Sequence, residues 1–70
     1  MMPLNYADVG VPQIVKKIGG TPEVKKHLEN LGFYVGGEVS IVNMLSGNVI
    51  VKVKESRIAI SDELARKIMV

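Results

Sequence analysis

Apolar side chains recur at helical spacing between residues 21 and 32. Val24, Leu28 and Leu31 stand at positions i, i+4 and i+7, which places them along one face of an α-helix. Thr21-Pro22 supplies a capping side chain and a first helical residue, and Gly32 supplies the left-handed conformation that ends many helices. The pattern predicts an amphipathic helix of about ten residues that packs on the rest of the protein by one face.

After this helix the apolar residues alternate with polar ones, which is typical of strands with one buried face. The alternation predicts strands at Glu38–Asn43, Asn48–Lys54 and Arg57–Ile60. Met44–Gly47 is predicted to form the first turn between them, and Glu55-Ser56 the second. We therefore expect this half of the chain to form a small β-sheet.

The two ends of the chain are less regular. Gln13–Ile18 is a β-type segment whose imperfect alternation predicts a bulge or a strand covered on both faces. Tyr6–Val9 fits either one helical turn or an extended lead-in. Ser61 is expected to cap a short helical turn, after which Ile68–Val70 either continues the helix or forms a terminal strand. Several short strands with one inserted helix predict a mainly β fold, built as a small barrel or a tightly curled sheet.

Composition indicates a single small domain over residues 1–70. The chain is 47% hydrophobic and has no cysteine, which excludes disulfides, thiol catalysis and cysteine metal sites. It shows no signal peptide and no apolar run long enough to cross a membrane, so we expect a cytoplasmic location. The net charge is only +2, and the basic residues stand in pairs with acids between them. Such pairs are usually solvated, whereas a nucleic-acid surface concentrates its basic residues.

No group of residues predicts catalysis. Several serines are present, but a nucleophile needs a base that a third group orients, and His27 is the only histidine. His27 follows Glu23 by four residues on the predicted helix, and no further ligand stands at metal-binding spacing. Gly19-Gly20 lacks the flanking residues of a phosphate loop and is predicted to be a turn. We therefore predict no catalytic, cofactor-binding or metal-binding residues and no cofactor.

Phe33-Tyr34-Val35 follows the helix stop and allows two interpretations. Neighbours in an extended segment point apart, so a small core cannot bury all three side chains. Some of them are therefore expected to form a contact surface. In the alternative interpretation Phe33 is core and Tyr34 lies flat with its hydroxyl in water.

The order of these signals along nearly the whole chain resembles the FeoA family. The opening, the helix end and the last strand each contribute a motif. These are Leu4-x-x-Ala7-Asp8-x-Gly10 with Ile14-Val15-x-x-Ile18-Gly19-Gly20, then Leu28-x-x-Leu31-Gly32-Phe33-x-x-Gly36, and finally Arg57-Ile58-Ala59-Ile60-Ser61 with Ala65-x-x-Ile68-x-Val70. Each motif is weak alone, and their order makes the resemblance specific. One departure is Glu55-Ser56-Arg57, where the family often has Gly-Tyr-Arg.

The resemblance implies an SH3-like barrel with a helix inserted after the first strand and a helical turn before a short last strand. It also implies a role as a small cytoplasmic accessory protein of bacterial ferrous iron uptake that acts on the membrane transporter FeoB. Members of the family share no agreed catalytic residues, so the resemblance transfers none. Binding would then occur through protein–protein contacts with the cytoplasmic part of the transporter.

These considerations predict two sets of residues. The residues predicted to contact a partner are Phe33, Tyr34, Val35 and Arg57. The residues predicted to be structural are Leu28, Leu31, Gly32 and Gly36.

The sequence is also compatible with two other functions. Small SH3-like barrels also occur in translation and transcription proteins, so the chain is alternatively a nucleic-acid-binding module. A third possibility is direct sensing of a transition metal ion through His27 and a carboxylate such as Glu23.

Overall fold

The computed structural model describes residues 1–70 and confirms a mainly β fold. A 3-10 turn at Leu4–Tyr6 precedes the first strand. The remaining elements are strands β1 (Gln13–Ile14) and β2 (Lys17–Ile18), helix α1 (Pro22–Leu31), strands β3 (Glu38–Leu45), β4 (Asn48–Val53) and β5 (Ser56–Ser61), helix α2 (Asp62–Ala65) and strand β6 (Ile68–Met69).

The six strands form two antiparallel sheets. One has four strands in the order β1-β3-β4-β5, and the other consists of β2 paired with β6. Helix α1 is inserted in the chain between β2 and β3. The strands are hydrogen-bonded in two separate sheets. They therefore do not close into a complete barrel, which was one of the two predicted forms.

The predicted β-type segment over Gln13–Ile18 contains two short strands that belong to different sheets, instead of a bulge or one strand covered on both faces. Strand β1 pairs with β3, whereas β2 pairs with β6. Val15 lies between them, donating its N–H to Gly37 O (2.9 Å) and accepting from Gly36 N (2.8 Å). The imperfect alternation has the same origin, since Ile14 is exposed and the adjacent Val15 is buried.

The two ends of the chain lie side by side. Met2 and Val70 exchange two backbone hydrogen bonds of 2.8 Å, and Pro3 forms a bridge with Met69. Of the two alternatives for the C-terminal residues, the structure therefore shows the terminal strand. At the other end, the helical turn lies at Leu4–Tyr6, slightly before the predicted segment.

Helix α1 begins and ends where its local sequence requires. Thr21 Oγ1 accepts a hydrogen bond from Val24 N at 3.3 Å, which caps the first turn. Gly32 has φ 108°, its N–H donates to Glu29 O, and Phe33 N donates to Leu28 O, each at 2.9 Å. This pair of bonds is a Schellman motif, which satisfies carbonyls that the helix end would otherwise leave free. The predicted helix of ten residues is confirmed.

The core lies on the inner faces of the strands and the apolar face of α1. Val24 and Leu31 are partly buried against it, and Leu28 is fully buried. No polar or charged side chain is buried. The buried apolar residues are Leu4, Ala7, Val15, Ile18, Leu28, Phe33, Val39, Ile41, Val49, Val51, Val53, Ile60, Ala65, Ile68 and Val70.

The first turn of the large sheet is shorter than predicted. Strand β3 continues through Leu45, and only Ser46-Gly47 forms the turn. The pairing of β3 with β4 shifts between Ile41 and Asn43, which leaves Val42 as the extra residue of a bulge. The bulge restores pairing beyond Asn43, so the strand extends further than its side-chain alternation indicates.

The second turn is displaced by one residue from its predicted position. Lys54-Glu55 connects β4 to β5, and Ser56 is already the first residue of β5. Lys54 therefore belongs to the turn and not to the strand.

We expect Gly32→Val to lower the free energy of unfolding by at least about 2 kcal/mol. A side chain in the left-handed conformation costs about 1–2 kcal/mol, and a packing clash costs a similar amount. A Cβ on Gly32 would lie 3.1 Å from Val53 Cγ1, whereas one on Gly47 (φ 77°) would meet nothing within 4 Å. Gly47→Val is therefore the matched control, and urea denaturation measures both. Equal losses in the two variants would show that the contact with Val53 is unimportant.

Candidate interaction surface

A groove lies beside the junction between α1 and β3. It has a volume of about 320 Å³ and runs along the polar outer side of β3 and β4. Its basic walls come from β4 and the turn after it, and its aromatic wall comes from the segment that follows α1. The lining residues are Pro12, Gly32, Tyr34, Glu38, Ser40, Lys52 and Lys54.

Tyr34 forms the aromatic wall and is 48% exposed. Its ring packs on the backbone of Gly37, where an added Cβ would lie 3.1 Å from Tyr34 Cζ. The Nζ atom of Lys54 lies 5.2 Å from the ring centroid, which is within the range of a cation–π interaction. The ring is thus held in place by two contacts while much of its surface faces solvent.

Lys54 adopts a backbone conformation that is unusual for its side chain. Its φ is 56°, and it is the one residue other than glycine with a positive φ. Two-residue hairpin turns commonly place Gly or Asn at such positions, because other side chains are disfavoured there by about 1–2 kcal/mol. The turn thus holds a lysine beside Tyr34 where a glycine would relieve strain. Strain of this kind is often found at functional sites.

The structure places Phe33 in the core, which is the part of the alternative interpretation that it tests. Phe33 is 1% exposed and belongs to the core, so its predicted contact with a partner is wrong. Val35 is 62% exposed, and Tyr34 is half exposed. Only Tyr34 and Val35 can therefore offer side chains to a partner from this segment.

A row of polar side chains crosses the large sheet from the groove to β5. Ser40 pairs with Lys52, and Lys52 pairs in turn with Arg57. Residues directly opposite in antiparallel strands have Cβ atoms about 5 Å apart, and like charges in that position repel. The one ion pair in the protein joins Arg66 to Asp62, so neither Lys52 nor Arg57 forms an ion pair, although Glu38 lines the same groove as Lys52.

The structure does not assemble the candidate metal ligands into a larger group. His27 and Glu23 are both exposed on α1. No three side chains from His, Asp and Glu come close enough together to hold a metal ion. Neither helix has the length and apolar character needed to cross a membrane.

Several residues of the surface were not among those predicted to contact a partner. Lys52 and Lys54 were expected to point outward because they alternate with buried valines, but their proximity to Tyr34 depends on tertiary structure. Pro12, Glu38 and Ser40 carry no local signal for a binding site. The predicted Arg57 lies next to Lys52 in the cross-strand row, although it does not line the groove itself.

Known proteins share both the sequence and the fold of this chain. The FeoA domain family matches residues 2–70. The chain belongs to the FeoA family. It is 39% identical, over all of its 70 residues and 85% of the relative, to a Methanocaldococcus jannaschii protein named "Putative Fe(2+) transport protein A". It also matches the crystal structure of an iron uptake regulatory protein (FeoA) with a TM-score of 0.88 and 27% identity, covering 96% of this chain and 89% of that one.

Family membership confirms the resemblance that the order of the motifs indicated. The FeoA motif Leu28-x-x-Leu31-Gly32-Phe33 spans the end of α1 and the first core residue after it. Within the FeoA motif at the other end, Ile60 is buried and Ser61 caps α2. These motifs therefore describe the core and the helix ends, whereas Tyr34, Lys52 and Lys54 of the groove fall outside their specified positions.

We expect Lys54→Met to lower the free energy of unfolding by about 0.5–1 kcal/mol, which is the usual strength of an exposed cation–π contact. Lys52→Met removes the same charge two residues earlier, within β4. Its loss should be smaller or absent, because the change also removes the repulsion from Arg57. Urea denaturation at low salt measures the difference. Equal losses would mean that the contact with Tyr34 contributes nothing.

Proposed function

We propose that this chain is a non-enzymatic accessory protein of ferrous iron transport that acts in the cytoplasm by binding the cytoplasmic part of an FeoB-type transporter. The observation that carries the proposal is membership of the FeoA family over residues 2–70. A relative named for Fe(2+) transport, similar along the whole chain, supports the same role. The crystal structure titled as an iron uptake regulatory protein supports it through the shared fold.

The exposed residues after α1 suit a protein-binding surface. Tyr34 presents an aromatic ring that is already held in position, so little conformational freedom would be lost when a partner covers it. Tyrosine and arginine are enriched among the residues that dominate binding energies. Val35 adds exposed apolar area beside Tyr34, and Arg57 adds a positive charge that forms no ion pair within this chain.

The row of Lys52 and Arg57 is also the feature that a nucleic acid would use. Its charge is small beside that of typical phosphate-binding surfaces, since the whole chain carries only +2. We therefore expect weak binding of single-stranded RNA and duplex DNA even at low salt. Tight binding whose affinity falls steeply with salt would favour the nucleic-acid-binding function instead.

The proposal predicts that Tyr34→Ala remains folded and weakens binding to the transporter's cytoplasmic part by about tenfold or more, which corresponds to about 1.4 kcal/mol. Isothermal titration of that part with the unchanged chain and the variant measures the affinity. Tyr6→Ala is the matched control, because Tyr6 is 67% exposed and lies outside the groove.

Two results would overturn the proposed function. The first is that the unchanged chain does not bind the transporter's cytoplasmic part. The second is that deleting the gene leaves ferrous iron uptake unchanged. Equal weakening by Tyr34→Ala and Tyr6→Ala would instead contradict the location of the surface.

A further inference from the structure

Strand β5 is the long open edge of the four-stranded sheet. It pairs with β4 along its whole length and with no other strand. No backbone hydrogen bond joins its other side to any part of the chain. Arg57 and Ala59 are exposed. The opposite edge is different, since β1 has only two residues and Val9 forms a bridge with Ile41 further along β3.

The ladder geometry indicates which backbone groups of β5 face the open side. Asp62 N donates to Gly47 O at 3.1 Å, which continues the register of β4 with β5 by one pair. Hydrogen-bonded pairs alternate along an antiparallel ladder, so Ile60 and Ile58 also bond to β4. The intervening Arg57 and Ala59 then direct their N–H and C=O groups away from the sheet. A row of free backbone groups of this kind is a template for a further strand.

The side chains beside this edge select for negative charge. Arg57 shares the outer face with Lys52, and no carboxylate of the chain pairs with either. A strand added to β5 would place one of its side chains directly opposite Arg57 on that face. An acidic side chain there would neutralise the pair, whereas a basic one would add a third positive charge.

An acidic segment complements the charge of this edge better than a second copy of the chain does. Directly opposite residues in a sheet point to the same face, so self-pairing must match outward residues with outward residues. The two antiparallel registers with the most overlap set Arg57 opposite Ala59 or opposite Ser61 of the other copy. The first register brings the two arginines within about 8 Å, and each has its own Lys52 beside it. The second register separates them by four residues, which is about 14 Å along the strands. Charge repulsion therefore disfavours one of the two longest self-pairings, whereas an acidic side chain opposite Arg57 is attracted to both Arg57 and Lys52.

We propose that the edge of β5 binds an extended segment of the partner protein as an additional antiparallel or parallel strand, with an acidic side chain of that segment opposite Arg57. This inference rests on the proposed function for the partner's identity, so the segment belongs to the cytoplasmic part of the transporter. Main-chain hydrogen bonds to Arg57 and Ala59 supply affinity in this mode, and side chains supply selectivity.

The first test is amide hydrogen exchange of the full chain, alone and with the transporter's cytoplasmic part. The free chain should show protected amides at Ile58 and Ile60 and rapid exchange at Arg57 and Ala59. Complex formation should slow exchange at Arg57 and Ala59 by about tenfold or more, because both amides gain hydrogen bonds. Unchanged exchange at these two amides in a formed complex would overturn the inference.

The second test uses two pairs of variants in the same titration. Ala59→Pro removes an outward N–H that has no partner in the free chain, whereas Ala59→Thr keeps it. We expect about tenfold weaker binding for the first and little change for the second. Arg57→Glu should weaken binding more than Lys25→Glu, which makes the same change in net charge on α1.

The outcomes separate this inference from the proposed function. Absence of binding by the unchanged chain would overturn both. Binding that Tyr34→Ala weakens but Ala59→Pro and Arg57→Glu leave unaltered would overturn only the strand addition. If Ala59→Pro fails to fold in thermal denaturation, exchange at the Arg57 and Ala59 amides decides the matter, because that measurement needs no variant.

Discussion

The backbone conformation of Gly32 determines which side chains enter the core and which remain at the surface. At φ 108° the chain leaves α1 with Phe33 turned inward, where its N–H bonds to Leu28 O. Tyr34 then faces outward, because neighbouring side chains in an extended segment point apart. The close approach of Gly32 to Val53 fixes the same junction against β4. The core and the exposed aromatic residue are thus two results of one helix ending.

The outer surface of the sheet holds features that the core does not tolerate. The core contains no polar or charged side chain. By contrast, the outer side of β4 and β5 carries an unneutralised pair of like charges, and the turn between them carries a lysine in a left-handed conformation. The like-charge pair and the left-handed backbone of Lys54 each reduce stability locally, although the Lys54 side chain recovers part of that loss through its contact with Tyr34. Their position next to Tyr34 concentrates positive charge on one face of a chain whose net charge is small.

Much of this fold could be predicted from sequence because its strongest signals are local. Helix α1 was predicted to the residue, since Thr21, Pro22 and Gly32 act within a few positions of the ends that they define. The division of β1 from β2 could not be predicted, because it depends on hydrogen bonds between Val15 and the distant Gly36-Gly37 turn. Membership of the FeoA family could also be predicted from the sequence, because many positions of its motifs are core residues and helix ends.

The interaction surface was harder to predict from the sequence, because it depends on contacts between residues that are distant along the chain. Tyr34 could be singled out as the neighbour of a residue that had to be buried. Its partnership with Lys54 required the position of a hairpin turn, and the sequence placed that turn one residue too late. The open edge of β5 depends on which strands pair, and side-chain alternation carries no information about that.

The pairing of the two ends, between Met2 and Val70, has a consequence for the order and the mechanics of folding. The strands β3, β4 and β5 are joined by short turns, so they can pair with little loss of chain entropy. The sheet of β2 and β6 joins distant parts of the chain and gains its contacts only after a large loop has closed. Folding is therefore expected to finish at the termini. Because the paired ends run antiparallel, a load pulling on them would break their hydrogen bonds one after another from the ends inward. The meander of β3 to β5 would be the last part to unfold.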